Sequence, residues 1–176
     1  MLGHVKRSLA YWAVVPLVAL VVVLLDQWSK GWIETNIPLG DSIAPFPALK
    51  SYFNLVHYSN TGAAFGILQG RGSFFIVITF VVIAAVLVYA RQLPDNNWGV
   101  RLCLGLLLGG AIGNLIDRLQ RGPVTDFLRF TLPVGGRIYE WPSWNVADAS
   151  LVVGTILLGI LMLWSERSKV EEPSRS

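Results

Sequence analysis

The chain is poor in charge, in cysteine and in histidine. Only 14% of its 176 residues are Asp, Glu, Lys or Arg, against about 25% in an ordinary soluble domain. A single cysteine, Cys103, excludes a disulfide within the chain and any paired-cysteine metal site. Two histidines, His4 and His57, form no H-E-x-x-H pattern, and without a G-x-S-x-G setting a Ser-His-Asp site lacks its parts. No glycine-rich phosphate loop follows a strand, and the net charge of +3 gathers into no basic stripe that would suit nucleic acid. What the chain has in supply is apolar surface, with aspartates at its margins.

Hydrophobic residues make up 53% of the chain, and the mean hydropathy is +0.55. They gather in four uncharged runs, Ser8 to Leu25, Gly72 to Ala90, Leu102 to Ile116 and Ala149 to Ser165. A membrane helix needs about 20 mostly apolar residues. The third run reaches that length by borrowing Trp98 to Val100, with Arg101 snorkelling to the surface. Spans are therefore expected near residues 9–28, 72–90, 98–117 and 148–165, joined by long connections over 31–71 and 118–147, in one integral membrane domain covering 1–176. Trp12, Trp28, Trp32, Trp98, Trp141, Trp144 and Trp164 all fall at or just beyond the ends of these runs, where amphipathic rings favour the headgroup layer. The first run follows Lys6 and Arg7 as in a secretory signal, but it is longer than a typical apolar core and no small-x-small site follows, so a retained span is expected.

Counting crossings puts Asp26, Asp117, Asp126 and Asp148 on one side of the bilayer, whichever side that is. Lys and Arg divide seven to seven between the two sides, but the short segments hold Lys6, Arg7, Arg91, Arg101, Arg167, Lys169 and Arg175. Short basic segments stay cytoplasmic, which puts both termini inside and the aspartates outside. On the outer side, Tyr52 to Tyr58 is β-branched or aromatic at most positions and precedes the glycine-rich Asn60 to Gly66. Phe127 to Leu132 and Arg137 to Trp141 flank Pro133-Val134-Gly135-Gly136 as a hairpin would. The tail after Ser165, with Glu171, Glu172 and Pro173, reads as a disordered end.

Each aspartate has a plain structural explanation and a functional one. Asp26 and Lys30 are i,i+4 neighbours able to neutralise each other. Asn114 and Arg118 share one face of the third helix beside Asp117, so paired charge could simply hold the helix ends. Asp148 has no Lys or Arg between Arg137 and Arg167 to compensate it. It is either a charge at a helix N-terminus behind an Asn145 cap or a working carboxylate, since ionisable groups at membrane segments are costly and tend to be functional. Asp126 is either a solvated loop charge near Arg129 or the partner of Asp148. Two carboxylates held together do not ionise at the same pH, which yields one acid and one base. Gly105, Gly109 and Gly113 recur every fourth residue, a stripe that lets a neighbouring helix approach closely.

Five segments then carry a resemblance: Asp26-Gln27-Trp28-Ser29-Lys30, Asn60-Thr61-Gly62-Ala63-Ala64-Phe65, Gly109-Gly110-Ala111-Ile112-Gly113-Asn114-Leu115-Ile116-Asp117-Arg118, Val124-Thr125-Asp126-Phe127 and Asn145-Val146-Ala147-Asp148. In this order the set resembles the motifs of the bacterial lipoprotein signal peptidases, signal peptidase II. The resemblance implies an all-α membrane protein, a four-transmembrane-helix bundle with a small extracytoplasmic β-rich cradle, acting as an aspartyl endopeptidase at the membrane surface. It implies Asp126 and Asp148 as the catalytic dyad, with Asn60, Gly110, Asn114, Arg118 and Asn145 around it and Asp26, Lys30 and Asp117 in support. It implies no metal and no cofactor. The substrate it implies is a prolipoprotein bearing a diacylglyceryl cysteine, cut on the amino side of that residue by a monomer in the bacterial inner membrane, with membrane lipids the other partner and no nucleic acid. Trp144 stands where the family usually has Phe. A small ion or proton carrier, or a non-catalytic assembly protein, would be the alternative use of the same carboxylates.

Overall fold

The computed structural model describes residues 9–62, 68–94 and 97–170. Helices and strands follow in the order α1 (Leu9–Asn36), β1 (Ser42–Ile43), β2 (Phe53–Asn60), α2 (Gly72–Gln92), α3 (Trp98–Gln120), β3 (Val124–Val134), β4 (Arg137–Glu140) and α4 (Val146–Val170). Each helix contains a segment long and apolar enough to cross a membrane, with mean hydropathies of 1.8, 2.7, 1.7 and 2.2 in chain order. Leu24, Val81 and Leu163 are 60%, 64% and 65% exposed, as suits side chains facing lipid in a multi-pass membrane protein. Ala63 to Gly66 of the glycine-rich segment and the tail from Glu171 lie outside the described residues.

Helix α3 is the centre of the bundle: 67% of its apolar window is buried, against 22%, 17% and 17% in the other three. The glycine stripe explains how. A Cβ at Gly109 would sit 2.6 Å from Cβ of Val22 and 2.8 Å from the carbonyl oxygen of Ala19 on α1, so only glycine lets the two backbones meet there. Below this contact α1, α2 and α3 share an apolar cluster built on Val15, Ala19, Val86, Leu104 and Leu108.

The helix ends depart from expectation. Helix α1 runs on to Asn36, well past residue 28, because its last turns bury Ile33, and Ile37 just beyond them (each 1% exposed), against Phe127, Leu55, Leu128 and Val146. Helix α4 begins at Val146 and not at 148. The two long connections thus shrink to 37–71 and 121–145. Arg101 does not snorkel. It is 1% exposed, donates to the Leu93 carbonyl at 3.2 Å and lies 5.7 Å from the ring centroid of Trp12. The carbonyls at the end of α2 and an aromatic face take the place of water.

The four strands form one antiparallel sheet in the order β1-β2-β3-β4. The β3–β4 hairpin turns through Gly135 and Gly136, whose φ values of +58° and +77° are both positive, as a two-residue hairpin turn demands. Strand β2 pairs Tyr58 with Asp126 and Asn60 with Val124. Asn60 and Asp126 are therefore diagonal neighbours on one face of the sheet. That face is turned toward the ends of α3 and α4.

Candidate active site

Asp126 is the third residue of β3 and only 1% exposed. The solvated-loop explanation is thereby removed, and Arg129, an odd number of residues along the strand, falls on the opposite face. Asn60 Nδ2 donates to Asp126 Oδ2 at 2.8 Å, and Asn145 Nδ2 donates to Oδ1 at 2.7 Å. Asp148 is the third residue of α4 and accepts a 2.7 Å bond from Asn114 Nδ2 on its Oδ1.

One asparagine joins the two aspartates, through the side chain of Asp126 and the backbone of Asp148. Asn145 Oδ1 accepts the backbone N–H of Asp148 at 2.8 Å, capping α4. With its oxygen committed there, the amide can only turn its NH2 toward Asp126. Asn114 is oriented in the same way: its Oδ1 accepts from Lys30 Nζ at 3.1 Å, leaving Nδ2 for Asp148. For Asn60 the backbone N–H of Gly62 fills that role at 2.9 Å. Three amides thus have their oxygens fixed by other donors and their N–H groups aimed at the dyad.

Both carboxylates open into a cavity of about 540 Å³, walled by Asn60, Asn114, Arg118, Trp141, Trp144 and the α4 residues Leu151, Val152 and Val153. Burial first, and the charge of Asp148 after it, raise the Asp126 carboxyl from its ordinary 3.8 to about 7, against the opposing pull of the Asn60 and Asn145 amides and the charge of Lys30. A carboxyl that titrates near neutrality beside a second carboxyl can give and take a proton at working pH.

Behind the dyad lies a fully buried charge cluster. Lys30 Nζ, 0% exposed, is 2.7 Å from both Asp26 Oδ2 and Asp117 Oδ2. The expected Asp26–Lys30 pair is in fact a triad, and the ammonium spends its third donor on Asn114. Asp26 Oδ1 accepts the Ala147 backbone N–H at 2.9 Å, tying α1 to the start of α4. Arg121 neutralises Asp117 at 2.7 Å and reaches Glu34 at 3.4 Å, while Thr125 Oγ1 donates to Glu34 at 2.6 Å. Arg118 does not meet the Asn114 side chain; it donates to the Asn114 carbonyl at 3.3 Å and rests 5.0 Å from the Phe75 ring centroid. Gly110 bears no chemistry of its own. A Cβ there would strike the Ala147 carbonyl oxygen and come within 2.8 Å of Leu151, so this glycine lets α4 approach closely enough to present Asp148.

Sequence reasoning passed over Gln27, Glu34, Arg121 and Thr125. Gln27 Nε2 donates to Asp26 at 3.1 Å and to Asp117 at 3.0 Å. A signal existed for two of them: Arg121 is i,i+4 from Asp117, and Glu34 is i,i+4 from Lys30.

A carboxylate pair, one member buried and the other half-buried, facing one cavity at the shared end of membrane-spanning helices, defines an acid–base site in an integral membrane protein. Comparison with known proteins narrows the class. The family model for Signal peptidase (SPase) II matches residues 18–164. The chain is 46% identical over 147 residues to the lipoprotein signal peptidase of Bacillus pumilus, covering 84% of this chain and 90% of the relative. It is 44% identical over 150 residues to that of Halothermothrix orenii, covering 85% and 94%. A solved bacterial membrane enzyme is similar with a TM-score of 0.78 and 34% identity, over 91% of this chain and 93% of the other. The chain belongs to the signal peptidase II family, whose members are aspartic peptidases.

Proposed function

We propose that the protein removes the signal peptide from prolipoproteins whose cysteine already carries a diacylglyceryl group, cutting on the amino side of that cysteine, with Asp126 and Asp148 as the catalytic pair. The single observation that carries this is the linkage of Asp126 and Asp148 through Asn145, at 2.7 Å to the carboxylate of one and 2.8 Å to the backbone of the other, with both carboxylates on one cavity.

The chemistry follows from the pair. With one carboxyl ionised and the other protonated, the base takes a proton from water as its oxygen attacks the scissile carbonyl, and the acid protonates the developing oxyanion. The two residues have then exchanged states. The newly protonated one delivers its proton to the leaving amine, the other recovers one from the gem-diol, and the pair returns to its starting state. A lipid anchor on the cysteine holds the peptide bond at the depth of the helix ends, so membrane attachment supplies proximity. Arg118, on the cavity wall, positions the substrate backbone, and Asp26, Lys30 and Asp117 keep α1, α3 and α4 in register. The density of Lys and Arg supports cytoplasmic termini and an outward-facing site. Asn60, Asn114 and Asn145 hold the two aspartates within a single chain, so the pair is assembled without a second copy. A carrier would need polar groups through the depth of the bundle, and the side chains clustered between α1, α2 and α3 below the site are apolar.

The test is to incubate purified protein with a diacylglyceryl-modified preprotein and follow loss of the signal peptide by electrophoretic mobility. Processing by the wild type and none by Asp126→Asn or Asp148→Asn is expected. Equal processing of an unmodified preprotein, or normal processing by either variant, overturns the assignment.

A further inference from the structure

A second recess of about 630 Å³ lies on the sheet beside the catalytic cavity, and Trp141 and Trp144 line both. Its floor comes from strand alternation. Phe130 and Leu132 stand on the same face of β3 as Asp126, four and six residues further along. Register sets Tyr139 of β4 opposite Leu132, and Tyr52 closes the far wall. The Phe130 ring is 5.0 Å from Phe53 and 5.9 Å from Trp144, a row of aromatics leading away from the dyad. Leu132, Tyr139 and Trp141 are 55%, 56% and 65% exposed, a concentration of apolar surface that marks a binding groove.

The catalytic cavity therefore has two flanks of different character. One follows α4, where Val152 and Val153 face outward from the bundle within the membrane span, and suits the parts of a substrate that stay in lipid. The other is the aromatic groove, which lies off the helix ends on the sheet. Of a membrane-anchored precursor, only the polypeptide beyond the modified cysteine leaves the bilayer on that side. Among the described residues β4 also ends the sheet, so its outer edge is free to pair with an extended peptide.

We infer that the groove between β3 and Trp141 is a second substrate subsite, which holds in extended form the stretch of mature polypeptide following the diacylglyceryl cysteine. The inference rests on the cleavage reaction proposed above. At about 3.3 Å per residue, Phe130 and Leu132 lie about 13 and 20 Å along the strand from Asp126. The groove then engages residues about four to six positions beyond the scissile bond.

The experiment uses diacylglyceryl-modified peptides with one signal segment and two, four, six or eight residues after the cysteine, cut by the intact protein in detergent micelles. For the wild type, KM should fall about tenfold between the shortest and the six-residue substrate, the scale of an apolar pocket contact, then level off, with kcat little changed. In the double variant Leu132→Ser, Tyr139→Ser, whose two side chains line the groove but not the catalytic cavity, KM should no longer fall with length, while the two-residue substrate is cut as by the wild type. A wild-type KM independent of length overturns the subsite, as does a variant that keeps the wild-type length dependence. A variant that loses equally on short and long substrates also overturns it, because a lipid and not the peptide then fills the groove. If the wild type cuts none of the series, the peptidase function itself fails and the subsite falls with it.

Discussion

Asp126→Asn separates what this carboxyl does for the reaction from what it does to the fold. The change keeps size and shape but leaves one acceptor oxygen where two donors, Asn60 Nδ2 and Asn145 Nδ2, now bind. One buried donor therefore faces another N–H group, at a cost of about 1 to 3 kcal/mol. Against this stands relief from burying a charge. The folded carboxyl titrates near 7 and the ordinary one at 3.8, a difference worth about 4 kcal/mol at 1.36 kcal/mol per pH unit. Because the folded value is the raised one, the protonated carboxyl supports the fold below 3.8, and that support drains away as pH climbs toward 7. Wild-type stability should thus decline between pH 4 and 7, whereas the variant, lacking the titration, should be flatter. Asp126→Asn should be less stable than the wild type near pH 4 and equal or more stable above pH 7, by about 1 to 3 kcal/mol at either end. Turnover should fall by at least about 10²-fold throughout. Thermal unfolding in detergent across this pH range, paired with turnover per folded molecule, measures both. The reasoning is refuted if the variant retains near wild-type turnover, or if its stability follows the wild-type pH curve unchanged.

Removing the ammonium by Lys30→Met leaves the 0% exposed carboxylate of Asp26 without a cation, while Asp117 keeps Arg121; a loss of about 3 to 5 kcal/mol is expected, partly restored by adding Asp26→Asn, and a wild-type unfolding temperature for the single variant would show the triad to be unimportant. Gly109→Val should abolish the folded bundle, since a Cβ there meets Val22 at 2.6 Å, while Gly159→Ala, with nothing within 4 Å, should be silent in size-exclusion and thermal assays; equal behaviour of the two would remove the close-approach role. A reporter active only outside the cell should work after Gly135 and fail after Arg175, and the reverse pattern would turn the site to the cytoplasm. Thiol reagents should leave turnover intact, because Cys103 is 2% exposed in the membrane core, and Cys103→Ser should keep near wild-type activity in the same assay.

The spans were legible because membrane crossing imposes a local rule, enough consecutive apolar residues, that can be read without knowing any contact. The α1 end was not. Residues Gly31 to Asn36 look like loop by composition, and they remain helical only because Ile33 and Ile37 find Phe127 from the far end of the chain. Arg101 was misread for a related reason: its environment is the Leu93 carbonyl and the Trp12 ring, neither of which is visible as a neighbour in the chain. The dyad residues could be nominated from their lack of local compensation. Their hydrogen-bonded frame could not, since it draws on α1, β2, β3, α3 and the cap of α4 at once.

By itself the sequence determined that four segments enter the membrane, that Asp26, Asp117, Asp126 and Asp148 share one side of it, that a hairpin turns at Gly135-Gly136, and that five ordered motifs resemble one family. All of these are properties of composition, parity or short spacing. Only the tertiary structure decided that Lys30 reaches 84 residues along the chain to set the Asn114 amide, and that Asn145 caps α4 with its oxygen while giving its N–H to Asp126. An amide has one acceptor oxygen and a donor NH2, and which of them meets the carboxylate depends on what approaches the other side. That is settled by helices packed at glycine distance and by strand register, neither of which any single segment encodes.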